Sequence, residues 1–471
     1  MFTLADVLAA GEQPTTREAH SVSLRGAHYD SRKVGHGMLF VAMPGAQVDG
    51  NDYINDAFTR GASAVLAERP DPTSNISRQV IVPNSIQVFQ KLAHHIRSQS
   101  SAEIIGVTGS NGKTSTKQAL FAALSAHGST LATDRSENTD VGVPTTLSRL
   151  HPDHQFAVIE MGAQIQGEIS SYCQIAHPNI AVITNLSAAH IGEFGSMENI
   201  VKAKSELIQG LRDGGPTILP HSGPSIDHLR TLAPGRVVSF GREAEADVSV
   251  GLSINSTGST VTITAGSYNS KIEAKGIAGP VDLAFGAAIA VTLALELPIE
   301  ESVSGLQAFQ PAPHRMALRP SASGIMVLDD SYNANTASMT EALRMFHELP
   351  VQGRKYAVLG DMLELGPSTH TEHRKIGHTA ATVDVLFAIG QMADLLAQGA
   401  IQAGMSSQKI HVLATETLDS EELGEARKKL QQLIHALVKP GDAILLKASN
   451  GIGLSAVSDA IAIGTDDQTA T

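Results

Sequence analysis

The segment Ile104-Ile105-Gly106-Val107-Thr108-Gly109-Ser110-Asn111-Gly112-Lys113-Thr114 indicates the architecture expected for the whole chain. Its apolar start predicts a strand, and the following residues, Ser115–Ala126, predict a helix. The glycines between them let backbone N–H groups point at phosphates, and the helix N-terminus adds a partial positive charge. Lys113 is then placed to neutralise the β- and γ-phosphates, and the Thr114 hydroxyl to reach Mg²⁺. The segment therefore predicts a P-loop-type nucleotide site in an α/β sheet.

The glycine spacing departs from the strict phosphate-loop pattern, whose first glycine would stand at Val107. The glycines lie instead at Gly106 and Gly109, so an ordinary glycine-rich turn is the alternative interpretation. The strand–loop–helix context and the adjacent Gly112–Ser115 run favour the phosphate site.

Composition bounds the cellular setting and the partners. With 42% hydrophobic and 17% charged residues, the 471-residue chain is well stocked to bury several cores. The formal charge of 34 − 47 = −13 argues against nucleic acid or an anionic membrane as partner. Cys173 is the only cysteine, which excludes an intramolecular disulfide and a multi-cysteine zinc cluster. The N-terminus has no basic segment typical of a signal peptide, and the best apolar run, Gly286–Leu297, is too short to span a bilayer. We expect a cytoplasmic monomer without membrane insertion.

Short β-branched runs alternate with helical patterns, which predicts an α/β protein of three domains at residues 1–98, 99–312 and 313–471. A proline-rich joint at residues 310–313 precedes the third domain. We expect a small N-terminal α/β domain, a central P-loop-type domain whose mostly parallel sheet has helices on both faces, and a C-terminal Rossmann-like α/β domain. Alternation over residues 247–275 predicts a small antiparallel insert, and the polar tail 464–471 is expected to fray. The other predicted strands are Leu39–Ala42, Ala64–Ala67, Gln79–Val82, Phe156–Ile159, Ile180–Ile183, Ile325–Leu328, Tyr356–Leu359, Leu386–Ile389 and Ala443–Leu446.

Two candidate metal ligands follow consecutive predicted strands. Glu160 comes after Phe156–Ile159, and His190 lies in the loop after Ile180–Ile183. Both loops belong to the same sheet edge as Thr114. A carboxylate and an imidazole there are able to hold a second divalent cation, although a capping or surface role is the alternative for each residue alone.

Lys204 lies on the apolar face of a predicted helix, Ser196–Leu211, that has Ser196 as its N-cap. Lys202 points to the opposite face. A lysine on a buried face must extend to solvent, find a carboxylate or lose its charge. A neutral amine can also react with CO₂ to give a carbamate that ligates Mg²⁺. The pattern alone leaves these alternatives open.

The third domain has polar clusters after two predicted strands, Asp329-Asp330-Ser331-Tyr332-Asn333-Ala334-Asn335 and Gly360-Asp361-Met362-Leu363-Glu364. Their position predicts a second half-site facing the nucleotide. Arg315, just beyond the proline joint, is able to swing onto the transferring phosphoryl group when domains close. The alternative is that Asp330, Ser331 and Asn335 only cap the next helix.

Together these motifs resemble the Mur ligase family over almost the whole chain, and the Asp329–Asn335 run resembles its D-alanyl-D-alanine-adding branch. The Asp-Asn-Pro-Arg signature of the diaminopimelate-adding branch is absent. Besides the runs already quoted, the resemblance rests on Asp30–Arg32, Gly37–Gly45, Asp49-Gly50, Val141–Pro144, Glu160–Ala163, Gly167–Ile169, Ala189-His190, Phe194–Ser196, Lys202–Lys204 and Gly360–Gly366.

The resemblance implies a ligase that uses ATP and two Mg²⁺ ions to join D-alanyl-D-alanine to UDP-N-acetylmuramoyl-tripeptide through an acyl phosphate. In the first domain, Ser31 and Arg32 would bind the uridine diphosphate. Glu160, His190 and carbamylated Lys204 would hold the second Mg²⁺, while Arg315 would contact phosphate and Asp330 the ribose. The implied ATP-binding set is Thr108, Gly109, Ser110, Asn111, Gly112, Lys113, Thr114, Ser115, Asn185, Arg315, Asp330 and Asn333.

The chain departs from the family pattern where a His-Asn-x-x-Asn motif serves the nucleotide base, because Val281-Asp282-Leu283-Ala284-Phe285 stands there. At several other places this chain has a different residue from the usual family one. Gln164-Ile165 replaces Asn-His, Ser136 and Thr139 replace asparagines, His314 replaces a glycine and Asn450 replaces an arginine. Since the phosphate and metal positions are intact, we expect activity with altered ATP affinity.

Three other functions remain open from sequence. The first is a Mur-type ligase that adds a single amino acid, and the second a degenerate ligase that binds a nucleotide-sugar without catalysis, motivated by Val281 and Phe285. A plain P-loop kinase or GTPase is the third, but it leaves the polar clusters of the third domain unexplained.

Overall fold

The computed structural model describes residues 1–45, 48–187, 191–212 and 214–463. The strands are β1 Phe2–Thr3, β2 Ser23–Leu24, β3 Ala27–His28, β4 Leu39–Val41, β5 Ala64–Ala67, β6 Gln79–Ile81, β7 Glu103–Thr108, β8 Thr130–Ala132, β9 Phe156–Glu160, β10 Ile180–Ile183, β11 Thr217–Pro220, β12 Val237–Gly241, β13 Val248–Asn255, β14 Gly258–Ala265, β15 Tyr268–Lys275, β16 Ala317–Pro320, β17 Met326–Asp329, β18 Lys355–Gly360, β19 Val385–Gly390, β20 Ile410–Ala414 and β21 Ala443–Lys447. The helices are α1 Leu4–Ala10, α2 Arg17–Ser21, α3 Ile54–Thr59, α4 Ser85–Ser98, α5 Lys113–Ser125, α6 Gly142–Leu147, α7 Glu168–Ala176, α8 Ile191–Phe194, α9 Met197–Gln209, α10 Ile226–Leu232, α11 Val281–Ala294, α12 Ile299–Leu306, α13 Thr336–Glu348, α14 Thr369–Ala380, α15 Ala393–Gln402, α16 Ser420–Leu437 and α17 Leu454–Ile463. The tail 464–471, predicted to fray, lies outside the described residues.

The N-terminal part holds a parallel sheet in the order β3-β4-β5-β6, with a short antiparallel pair, β1 and β2, beside it. Its strands are nearly continuous apolar runs because both faces are covered, as expected for a parallel sheet. Helix α4 packs Phe89 and Leu92 into this core, where both side chains are fully buried. The predicted small α/β domain is confirmed.

The central sheet runs in the order β15-β14-β13-β12-β11-β10-β7-β9-β8. Neighbours from β8 to β13 are parallel, whereas β14 and β15 pair antiparallel at one end. The alternation over residues 247–275 thus forms antiparallel strands, as predicted, and these strands extend the main sheet. Strand β7 lies between β10 and β9, which places the glycine-rich loop beside the loops that follow both neighbours.

Helices α5 and α11 pack against each other on one face of the central sheet. The apolar run at residues 286–297 lies mostly within α11, whose residues from Ala284 to Thr292 are all buried. Apolar residues on every side are what a helix between a sheet and a second helix requires. Among the described residues, no helix combines the length and apolarity needed to cross a membrane.

The C-terminal sheet runs in the order β16-β17-β21-β18-β19-β20 and is parallel except for β16. The four predicted strands are β17, β21, β18 and β19, and the prediction omitted β16 and β20. Both omitted strands are edges, where one side of the strand has no neighbour and the apolar signal weakens. Strand β16 ends in Pro320, and β20 carries His411 and an exposed Val412.

The sheets occupy successive stretches of the chain, and the three-domain α/β architecture predicted from sequence is confirmed. The proline-rich joint at residues 310–313 lies between α12 and β16. The exact boundaries at residues 98 and 312 stay a prediction.

Candidate active site

A cavity of about 670 Å³ lies between the central and C-terminal sheets. On one side it is lined by residues after β7, β9 and β10, and on the other by residues after β17 and by Lys447, the last residue of β21. Ligands of open α/β sheets bind beyond the carboxyl ends of the strands. Two such edges face each other here. Of the two polar clusters predicted to form the second half-site, residues of Asp329–Asn335 line the cavity, whereas no residue of Gly360–Glu364 does. Asp361 instead accepts from the Gln391 and Met392 N–H groups, each at 2.9 Å.

The glycine-rich loop requires glycine at Gly109, whose φ is +147° and where a Cβ would meet the Thr184 hydroxyl at 2.0 Å. The loop after β10 holds the glycine-rich loop through side chains. The Thr184 hydroxyl donates to the Asn111 carbonyl (2.6 Å), and the Asn185 side-chain oxygen accepts from the Asn111 N–H (2.9 Å). Asn185 therefore shapes the loop in this structure.

Lys113 begins α5, and its ammonium folds back onto the carbonyls of Gly109 (2.8 Å) and Ser110 (3.3 Å). Burial lowers the pKa of Lys113, and the charge of Arg315 lowers it further, against the opposing effect of Glu160. No carboxylate of the described residues pairs with this cation, so a phosphate oxygen would meet little competition for it.

Glu160 is the last residue of β9 and is 1% exposed. Its Oε1 accepts from the Thr114 hydroxyl (3.2 Å) and from the Asn138 amide (2.8 Å). Its Oε2 is buried with no hydrogen-bond partner among the described groups, and the Lys117 ammonium lies 3.6 Å away. A buried carboxylate oxygen without a donor costs free energy, which a cation would recover.

Sequence reasoning missed Lys117. It lies one helical turn after Lys113 on α5, its side chain is 3% exposed, and its ammonium donates to the Arg135 carbonyl at 2.6 Å. The signal was the i, i+4 spacing from Lys113, which places both cations on one helix face.

Lys204 is 2% exposed on α9, which begins after the predicted N-cap Ser196. Its ammonium lies 3.4 Å from the carbonyl of Ala163, a residue that lines the cavity, and 5.5 Å from the Phe194 ring centroid. Burial, followed by the charge of Lys113, lowers the pKa of Lys204 to about 7. Extension to solvent is excluded by the burial, and no carboxylate among the described residues forms an ion pair with it. Of the three alternatives for Lys204, loss of the ammonium charge is therefore the one that fits.

Thr114 and Glu160 thus contact each other directly, and Lys204 contacts Ala163 on the cavity wall. Their joint role as metal ligands stays a prediction. His190, the remaining predicted metal ligand, lies outside the described residues.

Arg315 lines the cavity from the C-terminal side, and its guanidinium carbon lies 4.0 Å from the Tyr332 ring centroid. Asp330 also lines the cavity, but its Oδ2 pairs with the Lys447 ammonium at 2.5 Å. Burial raises the pKa of Asp330, and Lys447 opposes that shift. Lys447, at the end of β21, was not among the predicted site residues, because within an apolar strand it gives no local signal of a buried ion pair.

Of Asp330, Ser331 and Asn335, which could have served only as caps of the next helix, one does cap it. Asn335 is the N-cap of α13 and accepts from the Ser338 N–H at 2.9 Å, while its amide also donates to the Asn111 side chain (2.7 Å) in the phosphate loop. Ser331 instead donates to Asp329 at 2.6 Å. Asn333 lines the cavity and its carbonyl accepts from Lys447.

The apolar end of the cavity contains the departure from the family's base-binding motif. Val281, Leu283 and Ala284 line it, together with Phe240 and Ile277. Asp282 is fully buried and forms two bonds with Arg242 (2.6 and 3.1 Å), while Phe285 packs on Phe309 with ring centroids 5.2 Å apart. The three polar positions of the family motif correspond to Val281, Asp282 and Phe285, and only Val281 lines the cavity. Val281 is therefore the one replacement that directly removes a polar side chain from the cavity wall.

We predict that Arg242→Met lowers the free energy of unfolding by at least about 2 kcal/mol, because Asp282 keeps a buried, unpaired charge. Urea denaturation measures this change. Arg60→Met is the matched control: Arg60 is 47% exposed against 42% for Arg242, but its partner Asp56 is 38% exposed, so the loss of stability should be clearly smaller than in Arg242→Met. Equal costs for the two variants would contradict the interpretation.

Ser31 and Arg32 do not line this cavity. The Ser31 hydroxyl donates to Asp56 (2.9 Å), and Arg32, whose side chain is 79% exposed, pairs with Asp30 (2.8 Å). Glu137 connects this region to the central domain through His28 and Lys33, each at 3.1 Å.

Comparisons with known proteins agree with this geometry. Three family models match: the Mur ligase family, catalytic domain at residues 23–113, the Mur ligase middle domain at 107–279 and the Mur ligase, glutamate ligase domain at 314–450. The UDP-N-acetylmuramoyl-tripeptide–D-alanyl-D-alanine ligase of Mycobacterium tuberculosis (strain H37Rv) is 33% identical over 94% of this chain and 93% of its own length. The ligase of the same name from Bacillus subtilis is 30% identical over 92% of each.

Solved structures give the same result. MurF from Acinetobacter baumannii superposes with a TM-score of 0.82 at 28% identity, covering 97% of this chain and 98% of that one. MurF from Thermotoga maritima, solved in complex with ADP, gives 0.76 at 26% identity over 93% and 97%. With three matching domain models and relatives of 30% identity or more over nearly the full length, the chain belongs to the Mur ligase family.

Proposed function

We propose that this chain uses ATP to join D-alanyl-D-alanine to UDP-N-acetylmuramoyl-tripeptide, releasing ADP and phosphate, in the synthesis of peptidoglycan precursors. The observation that carries the proposal is the cavity in which the phosphate loop, Glu160 and Arg315 converge from two domains. The Asp329–Asn335 run and the names of the relatives support the choice of D-alanyl-D-alanine as the amine. The proposed setting is the cytoplasm and the proposed state a monomer.

Phosphate binding falls to the backbone of residues 108–112, with Lys113 and Arg315 as the cations. The N-terminus of α5 points its free N–H groups at the same place, which favours an anion. Ser115, in the first turn of α5, also lines the cavity. On the opposite wall, Asp330 and Asn333 are proposed to meet the ribose and the remaining nucleotide.

The oxygen groups at the phosphate-loop end fit a divalent cation. Thr114 offers a hydroxyl and Glu160 a carboxylate with one unpartnered oxygen, and hard cations such as Mg²⁺ prefer oxygen ligands. Thr114 would hold one ion, and Glu160, His190 and Lys204 a second. Bound Mg²⁺ would supply charge neutralisation that lets two anionic reactants approach.

Lys204 fits that role only as a carbamate, because an ammonium repels a cation. Its amine nitrogen would bond to the carbon of CO₂ and lose one proton to solvent, leaving a carboxylate on the side chain. A pKa of about 7 keeps a large share of the amine neutral and reactive at neutral pH. The nearby charge of Lys113, which disfavours the ammonium, would favour the carbamate anion.

The proposed ligation has two steps, phosphorylation of the carboxylate and formation of the amide bond. A carboxylate oxygen of the tripeptide attacks the γ-phosphorus, the bond to ADP breaks, and an acyl phosphate forms. The amine of D-alanyl-D-alanine then attacks the acyl carbon, loses a proton, and phosphate leaves with the original carboxylate oxygen. Lys113 and Arg315 would stabilise the negative charge that moves between the phosphate groups. Ser31 and Arg32 are proposed to hold the uridine diphosphate at the far end of the substrate.

Mass spectrometry of ligation products tests the proposal. Purified protein, ATP and a UDP-N-acetylmuramoyl-tripeptide with either diaminopimelate or lysine at position three are incubated with D-alanyl-D-alanine or with single amino acids. We expect a product larger by the dipeptide residue mass only with D-alanyl-D-alanine. Product with single amino acids alone would favour the other ligase class, and background phosphate release with intact UDP-substrate binding would favour a degenerate ligase.

A further inference from the structure

Arg315 occupies an unusual environment for a partly buried cation. No hydrogen bond or ion pair holds its guanidinium within the described part of the chain, and its charge lowers the pKa of both Lys113 and Lys117. Two carboxylates lie near these cations: Glu160 opposes the lowered pKa of Lys113 and Lys117, and the charge of Arg315 opposes the raised pKa of Asp330. Neither carboxylate forms an ion pair with Arg315. Something other than a carboxylate must keep Arg315 directed at the cavity.

Tyr332 contacts Arg315 in two ways. Its ring lies under the guanidinium at 4.0 Å, and its N–H donates to the carbonyl of His314, the residue before Arg315, at 3.0 Å. A cation over an aromatic face is stabilised without using any of its N–H donors. All five guanidinium N–H groups thus stay available for phosphate oxygens.

The backbone around Arg315 needs such support. His314 and Met316, on either side of it, have φ values of +60° and +51°, in the left-handed region that non-glycine residues rarely adopt. His314 is fixed by a 2.8 Å bond to Asp329, and the Met316 N–H donates to Asp330 at 3.2 Å. Together with the Tyr332 bond, these contacts determine the turn that presents Arg315.

Tyr332 also joins two domains. Its hydroxyl donates to the hydroxyl of Ser136 in the central domain at 2.9 Å. Ser136 lies two residues before Asn138, whose amide binds Glu160. One side chain therefore connects the segment that holds Glu160 to the segment that holds Arg315.

We propose that Tyr332 is a positioning residue for Arg315: its ring sets the guanidinium, and its hydroxyl ties that placement to the central domain through Ser136. The inference rests on the proposed function, in which Arg315 contacts the transferring phosphoryl group. Tyr332 itself touches no reacting atom in this account. Loss of the ring should therefore act only through Arg315.

The double-mutant cycle of Tyr332→Leu and Arg315→Ala tests the ring. Misplacing a catalytic group by about 1 Å can cost roughly 100-fold in rate, so Tyr332→Leu should lower kcat by about that factor, with KM for the UDP-substrate changed less than about 3-fold. The double variant should be no slower than Arg315→Ala alone, because only one interaction is lost. The proposal would be overturned if the loss of kcat in the double variant equalled the product of the two single losses. It would also be overturned if Tyr332→Leu kept the wild-type kcat.

Tyr332→Phe is the matched variant that keeps the ring and removes the hydroxyl. Because only one neutral hydrogen bond is lost, we expect kcat to fall roughly 2- to 10-fold. Ser136→Ala, and the variant that combines Tyr332→Phe with Ser136→Ala, should show the same loss. A loss in Tyr332→Phe as large as that in Tyr332→Leu would contradict a role for the ring.

A spectroscopic readout is independent of any ligase activity. The chain contains no tryptophan, so Tyr332→Trp introduces a single indole that can be excited selectively over tyrosine and can also stack on a guanidinium. Its emission maximum or intensity should change when Arg315 is additionally replaced by alanine. Identical spectra would exclude the contact in solution. Because the spectra need no substrate, failure of the ligation assay with wild-type protein would count against the proposed function, while the stacking would still be tested.

Discussion

Replacing Lys204 by alanine should lower kcat by at least about 10³-fold, corresponding to about 4 kcal/mol of lost transition-state stabilisation. The side chain is 2% exposed, and the depressed pKa of about 7 leaves an amine that can take up CO₂. Without the carbamate, the proposed cation site loses one of its negatively charged ligands. Steady-state release of phosphate with saturating substrates measures the effect.

Short carboxylic acids provide a stricter version of the same experiment. Formate or acetate should enter the space left by the Lys204 side chain, supply a carboxylate and restore part of the activity. Lys202→Ala is the matched control, since Lys202 lies on the same helix but is exposed and pairs with the exposed Glu198. Near-normal turnover in Lys204→Ala would show that the carbamate is not needed.

Lys113→Met should have an effect of similar size, at least about 10³-fold in kcat/KM for ATP. The ammonium now folds onto the loop carbonyls of Gly109 and Ser110, and a phosphate would compete for it at the first step of the reaction. Unfolding is not the expected cause of the loss. Burial lowers the pKa of Lys113, so replacing it by a neutral side chain removes a desolvated charge and should leave the unfolding temperature unchanged or higher.

Lys113→Arg distinguishes charge from shape. A planar guanidinium is larger than an ammonium and does not occupy the same space against the loop, so we expect it to restore less than a tenth of the activity. Turnover of Lys113→Met within about tenfold of wild type would contradict the role of this lysine in phosphate binding.

Features that depend on a local sequence pattern were predicted, whereas most of those that depend on tertiary contacts were not. The glycine-rich loop and Lys204 were predictable because a strand–loop–helix pattern and an apolar helix face are local signals. Lys117 was missed although its i, i+4 spacing from Lys113 is a local signal. Lys447 and Tyr332 were not assigned roles, because each acts through a contact with a residue distant in sequence, which no local pattern encodes. Strands β16 and β20 were missed for a related reason: an edge strand is only partly buried.

The departure at Val281–Phe285 illustrates what the structure adds. From sequence, Val281 and Phe285 raised the same doubt about adenine binding. In the fold, Phe285 belongs to the core beside Phe309, and Asp282 is committed to Arg242. Of the three positions that correspond to polar residues in the family motif, only Val281 therefore borders the cavity. Which of five consecutive residues faces the cavity depends on the rotation of α11 between its sheet and α5, and tertiary packing sets that rotation.

The most direct test of the central claim follows one oxygen atom. UDP-N-acetylmuramoyl-tripeptide is labelled with ¹⁸O in its terminal carboxylate, ligated to D-alanyl-D-alanine with unlabelled ATP, and the released phosphate is analysed by mass spectrometry. An acyl phosphate formed between the two sheet edges predicts one ¹⁸O atom in each phosphate. Unlabelled phosphate alongside normal ligation would show that the carboxylate is never phosphorylated, and would contradict the account.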